Sequence, residues 1–171
     1  MPSIIIVAGP NGAGKSTWIQ GLRKIDSWRA HAVLNADQII VSSGGQPSNF
    51  AKARVAVTML EDLITDRMDV ILETTLATRR LAQKIPVWRG VGYQVELIYL
   101  GLPSVEHSIL RVRDRVSKGG HSIPEDALRR RFPLSRQYLD ELYKPSVHAW
   151  TEFEIVNGEH TLLDFGMNDW P

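Results

Sequence analysis

The segment Gly9-Pro10-Asn11-Gly12-Ala13-Gly14-Lys15-Ser16 constrains this chain more than any other part of it. Its spacing, G-x-x-x-x-G-K-S, lets the backbone curl until successive N–H groups point inward at phosphate oxygens. Lys15 supplies a charge for the β- and γ-phosphates, and Ser16 a hydroxyl for Mg²⁺. The flanks fit the same reading. Ile4-Ile5-Ile6-Val7 is a β-branched run expected to form a buried parallel strand. Residues 16–22 then open a helix whose N-terminus faces the anion. Gly9, Pro10, Asn11, Gly12, Ala13, Gly14, Lys15, Ser16 and Thr17 are therefore expected to bind ATP or GTP with Mg²⁺.

Strand and helix signals alternate along the rest of the chain, the pattern of a parallel α/β sheet. Ala32-Val33-Leu34, Val70-Ile71-Leu72, residues 94–100, Phe153-Glu154-Ile155-Val156 and Thr161-Leu162-Leu163 read as further strands, the last two joined by an Asn157-Gly158 turn. Helices are expected after Pro47-Ser48, from Arg79 to Trp88 with a break near Pro86, and from Pro103 to Ser117. Another should follow Ser122-x-x-Glu125 in capping-box fashion. At 171 residues, residues 1–171 suit one domain with a real core. There are no cysteines, which excludes thiolate metal sites and cysteine nucleophiles. The formal charge of +1 gives no reason to expect a nucleic-acid or membrane partner. The first strand begins almost at once and no apolar run is long enough to cross a bilayer, so a cytoplasmic protein is expected.

Three groups of residues could carry chemistry. Asp37 follows the second strand by two residues, where ligands of an open parallel sheet sit; it reads either as a general base or as a helix cap. Glu73 ends the third strand like a metal-site carboxylate, able to hold Mg²⁺ through water or to bind a polar substrate, and Thr74 and Thr75 add hydroxyls at the same rim. Arg111 and Arg115 lie one helical turn apart, and Arg129, Arg130 and Arg131 follow the Gly119-Gly120-His121 break. Such arginines fit a lid closing over a transferred phosphoryl group, or else a solvated basic face or RNA patch. Ser42-Ser43-Gly44-Gly45-Gln46 imitates a transporter ATPase signature, but it stands only about thirty residues after Lys15 and reads as a polar loop.

Taken together, residues 4–17, Asn35-Ala36-Asp37, Glu73-Thr74-Thr75-Leu76 and residues 111–132 resemble the zeta-toxin family of P-loop kinases. The resemblance implies a doubly wound sheet of the nucleoside-monophosphate-kinase type, in the order 2-3-1-4-5, with an arginine-bearing lid. It also implies ATP- and Mg²⁺-dependent phosphorylation of a small-molecule hydroxyl, with a nucleotide sugar such as UDP-N-acetylglucosamine as the acceptor and a separate antitoxin as a partner. By the same resemblance Asp37 is the catalytic base, Glu73 a substrate-contacting carboxylate, Arg115 one transition-state arginine, and Arg130 or Arg131 the second. Ile155-Val156-Asn157 departs from the Asp-Asn-Ser that relatives often carry there. A polynucleotide or RNA kinase and a nucleotide-dependent ATPase or binding module are the alternative readings.

Overall fold

The computed structural model describes residues 1–36 and 57–169. Asp37, the loop at 42–46 and the start of the helix expected after Pro47-Ser48 lie outside them. The strands are β1 (Ser3–Ala8), β2 (Ala32–Asn35), β3 (Val70–Thr74), β4 (Gln94–Gly101), β5 (Ala149–Val156) and β6 (Glu159–Met167). They form one sheet in the order β2-β3-β1-β4-β5-β6. The first five run parallel in the expected 2-3-1-4-5 order, and β6 adds antiparallel to β5. Asn157 and Gly158 turn this last hairpin with φ of 52° and 87°, the positive values that a tight two-residue hairpin requires.

The alternation of β1 sorts the sheet into two faces. Ile4 and Ile6 pack with Leu60, Ile85, Trp88, Leu139 and Tyr143 on one side. Ile5 and Val7 pack with Ile19, Ile71, Leu100 and Ile155 on the other. Each isoleucine so buried contributes about 1.5–3 kcal/mol of transfer free energy. A strand buried on both faces has no polar alternation to display, which is why β1 reads as an unbroken apolar run.

The helices are α1 (Lys15–Leu22), α2 (Asp26–Arg29), α3 (described over 57–65), α4 (Ile85–Gly90), α5 (Val105–Ser117) and α6 (Glu125–Tyr138). A 3₁₀ turn, Ala82–Lys84, leads into α4, and a π-helical turn, Leu139–Tyr143, follows α6. Two local expectations are corrected. Pro86 does not interrupt a helix but stands in the first turn of α4, where its missing N–H costs nothing. Nor does Ser122 form a capping box: Pro124 is the N-cap of α6 and no side chain caps it. Glu125 is instead engaged by Arg113 and Arg129, both within 3.0 Å.

At the amino edge of the sheet, the His148 N–H donates to the Val95 carbonyl at 2.8 Å and its Nδ1 accepts from the Val95 N–H at 2.9 Å. Nδ1 therefore carries the lone pair and Nε2 the proton. Burial and the nearby Arg89 guanidinium pull the His148 pKa below the ordinary histidine value. The unfolded chain thus takes up this proton more readily than the folded one, and stability falls as pH drops below about 6.5. His148→Gln, which keeps an acceptor but cannot titrate, should flatten that part of the profile. Thermal unfolding of both proteins between pH 8 and pH 5 measures it, and parallel curves would refute the assignment.

Candidate active site

The phosphate loop leaves β1 directly over the end of β4, because Ala8 pairs with Tyr99. Gly9 has φ 141°, and a Cβ on it would lie 2.1 Å from the Leu100 carbonyl oxygen. Gly12 and Gly14 have φ of 81° and 85°. All three values lie where a side chain is strained. Gly14 is the N-cap of α1, so the helix begins at Lys15 and leaves its first N–H groups facing the loop. Lys15 is buried, and its Nζ donates to the carbonyls of Gly9 at 2.9 Å and Pro10 at 3.1 Å. The loop's own carbonyls thereby offset part of the cost of burying the ammonium.

Strand register brings the carboxylate rim beside this loop. Glu73 is paired with Val7 of β1 and Asn35 of β2. The Ser16 hydroxyl donates to both Glu73 oxygens, at 3.0 and 3.1 Å. Hard oxygen donors so arranged fit a small divalent cation such as Mg²⁺, which needs only one or two protein ligands. Thr74 and Thr75 are buried just beyond, and the Thr74 hydroxyl accepts from the Leu76 N–H at 3.1 Å. Leu76 is fully buried at φ 57°, a strained conformation of the kind that gathers at functional sites.

Helix α5 forms the opposite wall. Ser104 caps it, accepting from the His107 N–H. Ile109 and Val112 turn toward Leu128 of α6. The stripe Ser108, Arg111, Arg115 and Lys118, spaced three, four and three, therefore faces the loop. Ser108 donates to the Asn11 carbonyl at 2.6 Å. A Cβ on Gly12 would come within 3.1 Å of the Arg111 Cβ, so loop and helix are closely packed.

Between the walls lies a cleft of about 760 Å³, lined by Lys15, Ser16, Asn35, Glu73 and Thr75 on one side and by Arg111, Arg115, Lys118 and His121 on the other. Arg130 and Arg131 stand on α6 and are not part of this lining. Arg111 is the residue that sequence reasoning undervalued. It also lines a second cavity, of about 440 Å³, with Gly14, Thr17, Trp18, Ile155 and His160. Its guanidinium reaches within 3.7 Å of the Cβ position of Gly14. In that cavity the His160 ring lies 4.8 Å from that of Trp18. Helical spacing joins Arg111 to Arg115, but which face meets the loop is set by α6 and is invisible in a single helix.

A glycine loop over the first strand of a 2-3-1-4-5 sheet, faced by a cationic helix after the fourth, defines the P-loop kinase fold. The chain belongs to the zeta toxin family, which it matches over residues 46–158, a stretch that begins beyond the phosphate loop. It is 30% identical over 131 residues to an uncharacterized protein of Haemophilus influenzae (strain Rd), covering 75% of this chain and 91% of that protein. Among solved structures, the AvrRxo1-ORF1:ORF2 complex with ATP is similar at TM-score 0.73 and 14% identity, over 96% of this chain and 58% of the other. The PezAT chromosomal toxin–antitoxin system of Streptococcus pneumoniae gives 0.63 at 18% identity, over 96% and 72%. A chain of the Pnkp1/Rnl/Hen1 RNA repair complex gives 0.65 at 20% identity, over 82% and 46%. This chain thus spans little more than half of the AvrRxo1 chain and less than half of the RNA repair chain. At such identities the likeness is one of fold.

The placement of the arginines yields a test. Arg111→Ala should weaken ATP binding roughly 10- to 100-fold, the worth of a hydrogen bond to a charged group. Arg130→Ala with Arg131→Ala should leave binding within about two-fold, since neither lines either of the two cavities described above. Titration calorimetry with ATP on the two variants decides, and the reverse order of effects would overturn the placement.

Proposed function

We propose that the chain is an ATP-dependent kinase that transfers the γ-phosphoryl group to a hydroxyl of a small molecule, with a nucleotide sugar such as UDP-N-acetylglucosamine as its acceptor. The reading rests on one observation: the phosphate loop, the Ser16–Glu73 pair and the α5 cations share a single cleft. In this reading the loop amides and Lys15 hold the β- and γ-phosphates, and the base lies in the cavity beside Trp18. Ser16 would hold Mg²⁺, with Glu73 reaching it through water, and the ion would supply charge neutralisation at the phosphates.

The acceptor enters between Asn35, Glu73 and Thr75, with Glu73 orienting its hydroxyl. Its oxygen attacks the γ-phosphorus as the bond to the β-bridging oxygen breaks, and ADP leaves. Asp37, which stands two residues after the cleft residue Asn35 in the chain, takes the acceptor proton. Arg115 neutralises charge spread over the transferred group, and Arg111 joins it from the same helix face. Arg130 and Arg131 take that second role only if α6 approaches the cleft during turnover. By analogy with the family, an antitoxin protein is the partner that restrains this activity.

Incubation with ATP, Mg²⁺ and either UDP-N-acetylglucosamine or a bacterial metabolite extract, read by mass spectrometry, should give one new species heavier by a phosphoryl group. ATP consumed with no such species would instead support an ATPase, and label transferred to RNA ends a polynucleotide kinase. Lys15→Ala should abolish transfer and weaken ATP binding, because Lys15 is the one cation carried by the loop itself; turnover at the wild-type rate would remove the phosphate-loop argument. Asp37→Asn should retain ATP binding and slow transfer by roughly 10²–10⁴, the usual contribution of a general base. Turnover within a few-fold of wild type would mean that Asp37 only caps a helix.

A further inference from the structure

The end of α5 closes on two glycines that serve different purposes. The Gly119 N–H donates to the Val116 carbonyl at 3.0 Å and the Gly120 N–H to the Arg115 carbonyl at 2.9 Å. This paired closure requires a left-handed residue just past the helix, and Gly119 supplies it with φ 87°. Gly120 does not share that conformation, so its backbone gives no reason for glycine. The reason is Arg115. A Cβ at position 120 would lie 2.5 Å from the Arg115 Cγ, 3.2 Å from its Cδ and 2.8 Å from its carbonyl oxygen. The side chain runs across the bare face of Gly120, and its Nη2 donates to the His121 carbonyl at 2.7 Å. No Cβ of position 119, by contrast, would meet anything within 4 Å.

We infer that Gly120 and the His121 carbonyl form a cradle that fixes Arg115 in the cleft before substrates arrive, making Gly120 a positioning residue for phosphoryl transfer. Arg115 is exposed, and an exposed arginine ordinarily samples many rotamers, whose loss would otherwise fall on the transition state. The cradle holds the arginine at both ends, its carbonyl through the Gly120 N–H and its guanidinium through His121. The inference rests on the proposed role of Arg115 and says how that role is prepared.

The test compares Gly120→Ala, Gly119→Ala, Arg115→Ala and the double variant Gly120→Ala/Arg115→Ala. ADP release from Mg-ATP is followed with UDP-N-acetylglucosamine as acceptor and with water alone. Gly120→Ala should lower kcat about ten-fold with KM for ATP nearly unchanged, the size of one long side chain's rotamer freedom. In the Arg115→Ala background the same substitution should cost nothing further. Gly119→Ala should lower Tm more than Gly120→Ala does, while slowing turnover less. Independently of activity, the Arg115 Nη2–H signal in low-temperature ¹⁵N NMR should be resolved and slow to exchange in the wild type, because it donates to the His121 carbonyl, and lost in Gly120→Ala. A Gly120→Ala protein with wild-type kcat and an unchanged Arg115 signal, beside an impaired Arg115→Ala, would overturn the cradle alone. An equal loss in the Arg115→Ala background would overturn it too, because the glycine would then act through the helix end. Normal turnover in Arg115→Ala would overturn the role of Arg115 itself and the cradle with it.

Discussion

The contact between Gly9 and the Leu100 carbonyl sets the geometry of the whole carboxyl edge. Two parallel strands in register deliver these residues to the same place, and any side chain at position 9 would meet the carbonyl at 2.1 Å. The loop is therefore pressed flat on β4 before it turns into α1. That turn aims the Lys15 ammonium back at the Gly9 and Pro10 carbonyls, and it puts Ser16 within reach of Glu73, one strand away. A displacement of Gly9 would move the cation, the hydroxyl and the carboxylate together. Their arrangement is a property of the strand register rather than of any one side chain.

The parts of this architecture that the sequence displays are those governed by local rules. The β-branched run of β1, the glycines of the loop and the Asn157-Gly158 turn each state their conformation within a few residues. The 2-3-1-4-5 order is of another kind: no local rule states it, and it follows from the resemblance to the zeta-toxin kinases. What stays hidden depends on partners far along the chain. Ser122 and Glu125 have the spacing of a capping box, yet Glu125 makes ion pairs with Arg113 and Arg129 instead. The double position of Arg111, at the edge of two cavities, follows from the way Ile109 and Val112 dock on Leu128. Asp37 was legible as a candidate, but it lies outside the described residues, so its role rests on the resemblance and on the rim that precedes it.

The arginines of α6 are a case where ion pairing decides what a charge run means. Arg129 pairs with Glu106 and Glu125, and Arg136 with Asp140 and the buried Glu152. Glu152 also accepts from Lys144 at 2.8 Å. These carboxylates tie α6 to α5 and to β5, and within the run 129–131 they engage Arg129. The cations of α5 differ in kind. Arg111 and Arg115 instead line the cleft that the glycine loop also lines.

Anchoring of the two helices also differs along their length, and this bears on how the cleft could close. The C-terminal half of α6 is built into the sheet: Phe132 packs on one core, Tyr138 on the other, and Ser135 meets the Tyr99 hydroxyl at 3.1 Å. Its N-terminal half, with Leu128, packs instead on α5, in a small cluster of Ile109, Val112 and Leu128 flanked by Val105 and Ile123. That cluster is separate from both sheet cores. Moving α5 with the start of α6 would break the Ser108–Asn11 hydrogen bond and the Gly12 contact but leave every large apolar cluster intact. Elements joined to a scaffold by few buried apolar contacts are the ones that open first. The cleft-lining arginines thus sit on a helix whose buried apolar contacts are few, while the loop opposite is pressed against β4.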